Sequence, residues 1–243
     1  TNFKPAQTGD DEAHAYEIST PEALAWFAYK VNTDSSNFKA TNAKLTQPID
    51  LSGKEYGGSV GTAGDASDYD ACLLWKPISS FSGSLDGGGK KITNLRADAN
   101  TGEQGFISNF SGGTVKNLAV ASGIVRSSNY AGAIVSTAGS GTISGCSTGV
   151  DLTVSSVNIA GGIAGCYTSG TAEVVECVNA ASVISNGEAG GIVGAIYGCT
   201  LSINNCANLG KVETKSQNSS TTKNRAAGIF GRTDFSLNGK VSI

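Results

Sequence analysis

The sequence predicts an all-β fold, namely a right-handed parallel β-helix (a solenoid) with a short N-terminal α-helical cap. One observation behind this prediction is a motif of the form Gly-Ile-Val-Gly, which recurs at steps of 28, 29, 29 and 37 residues. A fixed period of about 20 to 50 residues is typical of repeat architectures. The aligned segments begin at Gly105, Ala133, Gly162, Gly191 and Gly228.

A second observation is the alternation of apolar and polar residues within each repeat, as in 113–118 and 200–206, which is the period of a β-strand. A unit of about 29 residues made of short strands cannot bury its apolar side alone, whereas stacked units share one continuous core. Successive coils should lie about 4.8 Å apart, and parallel crossovers wind right-handed by default. Residues 43–243 are therefore predicted to form one β-helix with coils of about 29 residues.

Two further sets of apolar residues keep the same period. The first set is Leu118, Cys146, Cys177 and Cys206, and the second follows six residues later at Ile124, Leu152, Val183 and Val212. Because cysteines replace a leucine at one repeat position, we expect an inward ladder of small apolar side chains. Disulfides between in-register parallel neighbours would need strained dihedral angles, so reduced thiols are expected there.

The N-terminal residues 1–42 are predicted to be an arm followed by a capping helix. Thr20 is suited to the N-cap and Pro21 to the first helical position, and the helix should run to about Val31. Its apolar face would cover the open end of the solenoid, where strand edges would otherwise be unpaired. That face consists of Leu24, Phe27, Ala28 and Val31. The segment 45–51 is predicted to be the first strand of the solenoid.

The composition argues against several classes of function. Charged residues make up 15% of the chain, and 17 basic against 20 acidic side chains leave a net charge of −3. The longest basic run is Lys90-Lys91, so no nucleic-acid partner is expected. No apolar stretch approaches the roughly 18 residues of a membrane span, so no transmembrane segment is expected. A signal peptide and Met are both absent from the sequence, and we expect a mature or trimmed product of a longer gene.

Neither the glycine motif nor the cysteines predict a cofactor or metal site. The segment 161–165 superficially resembles a nucleotide-binding loop, but the motif recurs in every coil without a following helix. This favours tight corners with positive φ, or close packing between coils, and no cofactor is expected. The chain has no Cys-x-x-Cys pair, and its acidic loop 57–70 does not match an EF-hand, so no metal is expected. The pairing of Cys72, Cys166 and Cys199 stays open.

Several segments occur in the order found in a known family. They are 16–24, 49–53, 75–78, 81–89 and 92–95, followed by the repeated Gly-Ile-Val-Gly units. In these segments the chain resembles the GLUG-motif repeat proteins over about residues 16–231, with Ser108 and Ser136 in place of a closing glycine. The resemblance implies a β-helical region and export to a bacterial cell surface or the medium, as in many proteins of gut Bacteroides relatives. It also implies an adhesin-like role, although some family members are attached to peptidases.

No catalytic residues are predicted. The acidic residues of the repeats share no repeat position within adjacent coils, so neither paired glycosidase carboxylates nor the acidic cluster of a calcium-assisted lyase is expected. The single His14 is expected at the surface rather than in a triad. The leading hypothesis is a non-catalytic surface adhesin or interaction scaffold that binds a glycan or an extracellular protein. The alternative is a carbohydrate-active enzyme, a polysaccharide lyase or hydrolase, on a β-helix fold.

Tyrosines are the candidate ligand-binding residues, because exposed aromatic rings can bind sugars without chemistry. Tyr130, Tyr167 and Tyr197 flank the glycine motifs. Tyr167 and Tyr197 are 30 residues apart, one residue out of register, and are predicted to project near each other. Packing in the core or at a coil edge is the alternative. The polar loop 214–225 is a further predicted contact region.

Overall fold

The computed structural model describes residues 4–7, 15–52, 74–99, 102–215, 225–234 and 240–243. The fold is mostly β, a parallel β-solenoid of about 6 turns with a short N-terminal helix, which confirms the predicted class. One continuous cluster of buried apolar side chains extends from the helix to the coil that contains Ile203.

Two helices and 28 short strands make up the described fold. The helices are α1 (Pro21–Thr33) and α2 (Ser35–Phe38). The strands before the glycine motifs are β1 (Ala6–Gln7), β2 (Tyr16–Ile18), β3 (Ala43–Leu45), β4 (Ile49–Asp50), β5 (Ser84–Asp86), β6 (Lys91–Thr93), β7 (Leu95–Asp98) and β8 (Glu103–Gln104). The remaining strands are β9 (Ile107–Phe110), β10 (Thr114–Lys116), β11 (Ala119–Ser127), β12 (Tyr130–Gly132), β13 (Val135–Ala138), β14 (Gly141–Ser144), β15 (Ser147–Ser156), β16 (Ile159–Gly161), β17 (Ala164–Tyr167), β18 (Thr171–Val175), β19 (Val178–Asn179), β20 (Ser182–Ser185), β21 (Glu188–Gly190), β22 (Val193–Tyr197), β23 (Thr200–Asn204), β24 (Ala207–Asn208), β25 (Val212–Thr214), β26 (Arg225–Ala227), β27 (Phe230–Asp234) and β28 (Lys240–Ser242).

Each full coil passes through four sheets that run along the solenoid. Sheet I has the strand order β1-β2-β3-β5-β10-β14-β18-β23-β28, and sheet II follows β24-β19-β15-β11-β6-β4 with β7, β20 and β25 alongside. Sheet III has the order β26-β21-β16-β12-β8, and sheet IV has the order β27-β22-β17-β13-β9. Among the described strands, every pair is parallel except β1 with β2.

The capping helix forms where the sequence predicts it. The Thr20 hydroxyl accepts a hydrogen bond from the Ala23 amide at 3.2 Å, Pro21 opens the helix, and the predicted apolar face is completely buried. Strand β2 already pairs in parallel with β3, so sheet I begins inside the segment 1–42. The prediction of one strand over 45–51 is wrong, because β3 and β4 belong to different sheets and the chain bends between them at Gln47.

The cysteine ladder has the predicted register. Strand pairing aligns Leu118 with Cys146, Cys177 and Cys206 in successive coils. Cys146 and Cys177 are buried and Cys206 is partly buried in the core. The inward direction of this ladder is therefore confirmed.

The second predicted ladder is wrong in two of its four coils. Val125 pairs with Val154, Val154 with Val183, and Val183 with Val212, whereas Ile124 faces outward and is 43% exposed. The cause is that Val125 and Val154 follow Leu118 and Cys146 by seven and eight residues, whereas Val183 and Val212 follow Cys177 and Cys206 by six. One of the extra residues forms a β-bulge, in which Gly149 and Val150 lie opposite Ala121. Leu152 is buried, but it aligns with Gly123.

A left-handed backbone recurs at the corner between sheets I and II. Five successive coils have φ between 53° and 69° at this corner. The five residues are Gly89, Asn117, Gly145, Glu176 and Asn205. Glycine and asparagine tolerate this conformation, whereas in Glu176 the Cβ atom approaches the following carbonyl oxygen.

Replacing Glu176 with glycine is expected to raise the free energy of unfolding by up to about 1 kcal/mol, because the steric cost of the left-handed conformation disappears. Glu176→Ala is the matched control, since it removes the exposed carboxylate but keeps Cβ. Chemical denaturation of the three proteins checks the prediction. A glycine variant no more stable than the alanine variant would contradict it.

Close packing between coils, rather than positive φ, explains the glycines of the repeated motif. Gly161, Gly162 and Gly165 have ordinary φ values. A Cβ atom on Gly161 would lie 1.8 Å from the Ala164 carbonyl oxygen in its own coil and 2.6 Å from the Gly194 amide nitrogen in the next coil. A Cβ atom on Gly162 would lie 2.1 Å from the Gly191 carbonyl oxygen in the next coil. The backbone of one coil therefore contacts the next at the position where a side chain would otherwise project.

Candidate functional site

Tyr167, a predicted ligand-binding residue, lies inside the solenoid. Its side chain is 0% exposed, and its hydroxyl has no hydrogen-bond partner among the described residues. Burial raises its pKa well above the ordinary value, and the nearby thiols of Cys177, Cys199 and Cys146 act in the same direction. Tyr167 is therefore a core residue that an external ligand cannot reach.

Tyr167→Phe is expected to raise the free energy of unfolding by about 1 kcal/mol, because a buried hydroxyl without a partner carries a desolvation cost. Tyr167→Ala should instead lower it by about 3 kcal/mol or more, since it leaves a cavity. Thermal and chemical denaturation of both variants separate the two effects. A loss of stability in the phenylalanine variant would show that the hydroxyl is satisfied.

Tyr197 lies outside the main core, on the flank where sheets III and IV meet. Its ring and that of Tyr130 pack against a small cluster that is separate from the main core and consists of Ile159, Cys166 and Ala195. These three residues are buried, whereas the two rings are only partly buried. We call these five residues the tyrosine patch.

Strand register places the patch residues side by side. In sheet III, Tyr130 pairs with Ile159 and Ile159 with Glu188, and in sheet IV Cys166 pairs with Ala195. The closing glycine of the motif lets the sheets approach, because a Cβ atom on Gly194 would lie 2.6 Å from Ile159 Cγ2. The repeated motif thus also shapes this corner.

One ion pair borders the tyrosine patch. The Arg232 guanidinium Nη1 donates to Glu188 Oε1 at 2.9 Å, and its central carbon lies 5.7 Å from the centre of the Tyr197 ring. Burial raises the pKa of Tyr197 to about 12. The Glu188 carboxylate adds to this shift in pKa, and Arg232 opposes it. The phenol is therefore a neutral hydrogen-bonding group at physiological pH, and its ring is held by a cation–π contact.

The predicted pairing of Tyr167 with Tyr197 is replaced by that of Tyr130 with Tyr197. Tyr167 pairs with Ile196, so Tyr197 follows one residue later and its side chain points to the opposite side of the strand. Tyr130 opens β12 in the adjacent sheet. The single signal for this pairing in the sequence is that both tyrosines flank a glycine motif.

The described cysteines provide neither a disulfide nor a metal site. Cys146, Cys166, Cys177, Cys199 and Cys206 are free. Hydrogen bonding to the neighbouring Cys146 thiol, together with burial, raises the pKa of Cys177 to about 12. Over the described ranges, no group of three or more His, Cys, Asp or Glu side chains is arranged to hold a metal. Cys72 lies outside those ranges.

Asp86 and Asp98 are engaged in local hydrogen bonds. Asp86 accepts a hydrogen bond from the Gly88 amide at 2.8 Å in a glycine-rich turn. Asp98 accepts two bonds from the Arg126 guanidinium, at 2.6 and 2.8 Å. His14, the loop 57–70 and most of the loop 214–225 fall outside the described residues.

Comparison with known proteins gives one structural similarity. No protein-family model and no curated protein sequence matches the chain. A crystal structure of a Bacteroides ovatus protein, provisionally named an immunoglobulin A1 protease, is similar over 93% of this chain and 85% of that one, with 14% identity and a TM-score of 0.41. Within the described part of this chain, no helix has the length and apolar character needed to cross a bilayer.

Proposed function

We propose that the chain is an exported, non-catalytic interaction module of the GLUG-motif kind, acting at a bacterial cell surface or in the medium. Its partner would be a surface glycan or an extracellular protein. The observation that carries this proposal is the tyrosine patch, where two partly exposed rings lie on a buried apolar floor beside an ion pair. Aromatic rings with few polar groups are typical of binding surfaces.

The strands that carry the tyrosine patch are held rigidly by their neighbours, which favours binding. The patch rests on strands of two adjacent sheets, and each strand is paired on both sides with the neighbouring coils. A ligand therefore meets preorganised side chains, which reduces the entropy lost on binding. One carboxylate beside the patch, that of Glu188, is held by Arg232, so its geometry suits positioning rather than proton transfer.

The test compares binding with turnover on the same samples. The purified chain is applied to arrays of glycans and matrix proteins, and incubated with neutral and acidic polysaccharides. We expect binding without new reducing ends or unsaturated products. Turnover that persists in Tyr197→Ala but disappears in Glu188→Gln, or in a variant of another carboxylate, would instead support the polysaccharide lyase or hydrolase alternative.

A further inference from the structure

We infer that the tyrosine patch is a binding site for an extended, uncharged oligosaccharide whose chain runs parallel to the solenoid axis. This inference rests on the proposed function and makes it specific, since it names the residues, the class of ligand and its direction. Three properties of the patch support it. They are the separation of the two rings, the character of the floor and the balance of the surrounding charges.

The two rings are spaced along the solenoid. Tyr130 lies in β12, its partner Ile159 in the next coil, and Glu188 in the coil after that. Tyr197 follows Glu188 in the same coil through β22. Tyr130 and Tyr197 therefore originate two coils apart, or roughly 10 Å along the axis at about 4.8 Å per coil. A polymer of repeating units that runs along the axis can contact both rings, whereas a single sugar unit would contact one.

The floor between the rings is apolar and closed to solvent. Ile159, Cys166 and Ala195 are at most 2% exposed, while each ring covers part of this floor and keeps part of its own surface accessible. A pyranose ring has an apolar C–H face and hydroxyl groups around its edge. The aromatic surface complements that face, and the tyrosine hydroxyls together with the Glu188–Arg232 pair can hydrogen-bond with the edge.

The residues around the patch do not favour an anion. The strand rows that form it carry three acidic and two basic residues in register, namely Glu103, Glu188, Asp234, Arg225 and Arg232. Arg232 and Glu188 already form an ion pair at 2.9 Å. An anionic chain would have to compete with Glu188 for the guanidinium and would approach rows that hold more acidic than basic residues, so electrostatics favours an uncharged ligand over an anionic one.

The test measures binding of defined oligosaccharides by isothermal titration calorimetry. The probes are β-1,4-linked glucose, mannose and N-acetylglucosamine oligomers of two to six units, with oligogalacturonates as the anionic series. We expect affinity for at least one uncharged series to increase with chain length over the shortest oligomers and then level off. The anionic series should bind more weakly.

Variants locate the site. Tyr130→Ala and Tyr197→Ala should each weaken binding by about fivefold or more, as expected when a central aromatic contact is truncated. Tyr197→Phe should retain most of the affinity, because it keeps the ring. Tyr29→Ala, in the remote capping helix α1, is the matched control and should bind like the parent. Melting temperatures of all variants exclude loss of the fold as the cause.

The outcomes separate this inference from the proposed function. Glycan binding that neither Tyr130→Ala nor Tyr197→Ala weakens, or that prefers the anionic series, overturns the inference and leaves the proposed function in place. Binding to a matrix protein with no response to any oligosaccharide does the same. Absence of both glycan and protein binding overturns both.

Discussion

Gly161→Ala is expected to lower the free energy of unfolding by about 3 kcal/mol or more, at the upper end of the cost of overpacking. A Cβ atom at this position would lie 1.8 Å from the Ala164 carbonyl oxygen and 2.6 Å from the Gly194 amide nitrogen. Both atoms belong to the backbone, the first in the same coil as Gly161 and the second in the next coil. They lie in the paired strands β17 and β22, so neither can move aside as a flexible side chain would. Denaturant unfolding followed by circular dichroism measures the effect.

The control for Gly161→Ala is Gly112→Ala. No heavy atom lies within 4 Å of an ideal Cβ at Gly112, and its φ is not positive. The control variant should stay within about 0.5 kcal/mol of the parent, as surface substitutions usually do. Equal unfolding midpoints for the two variants would refute close backbone packing as the reason for the glycine at position 161.

Cys177→Asp is the second substitution with a large expected effect, a loss of several kcal/mol in the free energy of unfolding. The Cys177 side chain is 0% exposed and lies in the ladder between Cys146 and Cys206. An aspartate there would bury a carboxyl group among thiols and apolar side chains, without a cation to pair with it. The melting temperature of the variant, compared with that of the parent, measures this loss.

Cys177→Ala separates the effect of the carboxylate from that of lost volume. Alanine removes one sulfur atom and leaves a small cavity, which costs less than an unpaired buried charge. We therefore expect a much smaller drop in melting temperature than in Cys177→Asp. If both variants melt at the same temperature, Cys177 is not an inward rung of the core.

The sequence predicted the capping helix and the stacking order of the coils because both follow from local or periodic signals. Thr20 and Pro21 identify the helix start through the chemistry of the cap. The glycine motif identifies the order of the coils because neighbouring backbones can approach closely only at residues without a side chain. Both signals can still be recognised when a coil contains a small insertion elsewhere.

The exact ladder beyond the cysteines could not be predicted from spacing. The second ladder follows the first by seven residues in the coil of Leu118 and by eight in that of Cys146, where the bulge at Gly149 and Val150 lies, but by six in the next two coils. A count of six residues from Cys146 therefore leads to Leu152, which aligns with Gly123 rather than with Ile124. Val125 and Val154 lie in the ladder instead.

Only part of the candidate site could be predicted from the spacing of residues, because neighbouring residues of a strand point to opposite faces. Tyr197 was identified, but the assumed partner Tyr167 lies one residue earlier in the repeat and points into the core. Tyr130 packs against the same buried cluster as Tyr197, where sheets III and IV approach at the corner beside Gly194. That approach is a property of the folded coil, and the linear spacing of tyrosines contains no direct signal for it.

Ring resonances of the seven tyrosines provide the most direct test of the central claim, which is that an oligosaccharide binds at the tyrosine patch. The chain is labelled with carbon-13 at its tyrosine rings, each resonance is assigned with Tyr→Phe variants, and the tightest-binding uncharged oligomer is titrated. We expect the signals of Tyr130 and Tyr197 to shift during the titration, with the same dissociation constant as calorimetry gives. The signal of buried Tyr167 should stay in place. Shifts confined to other tyrosines, or unchanged rings in a saturated complex, would contradict the claim.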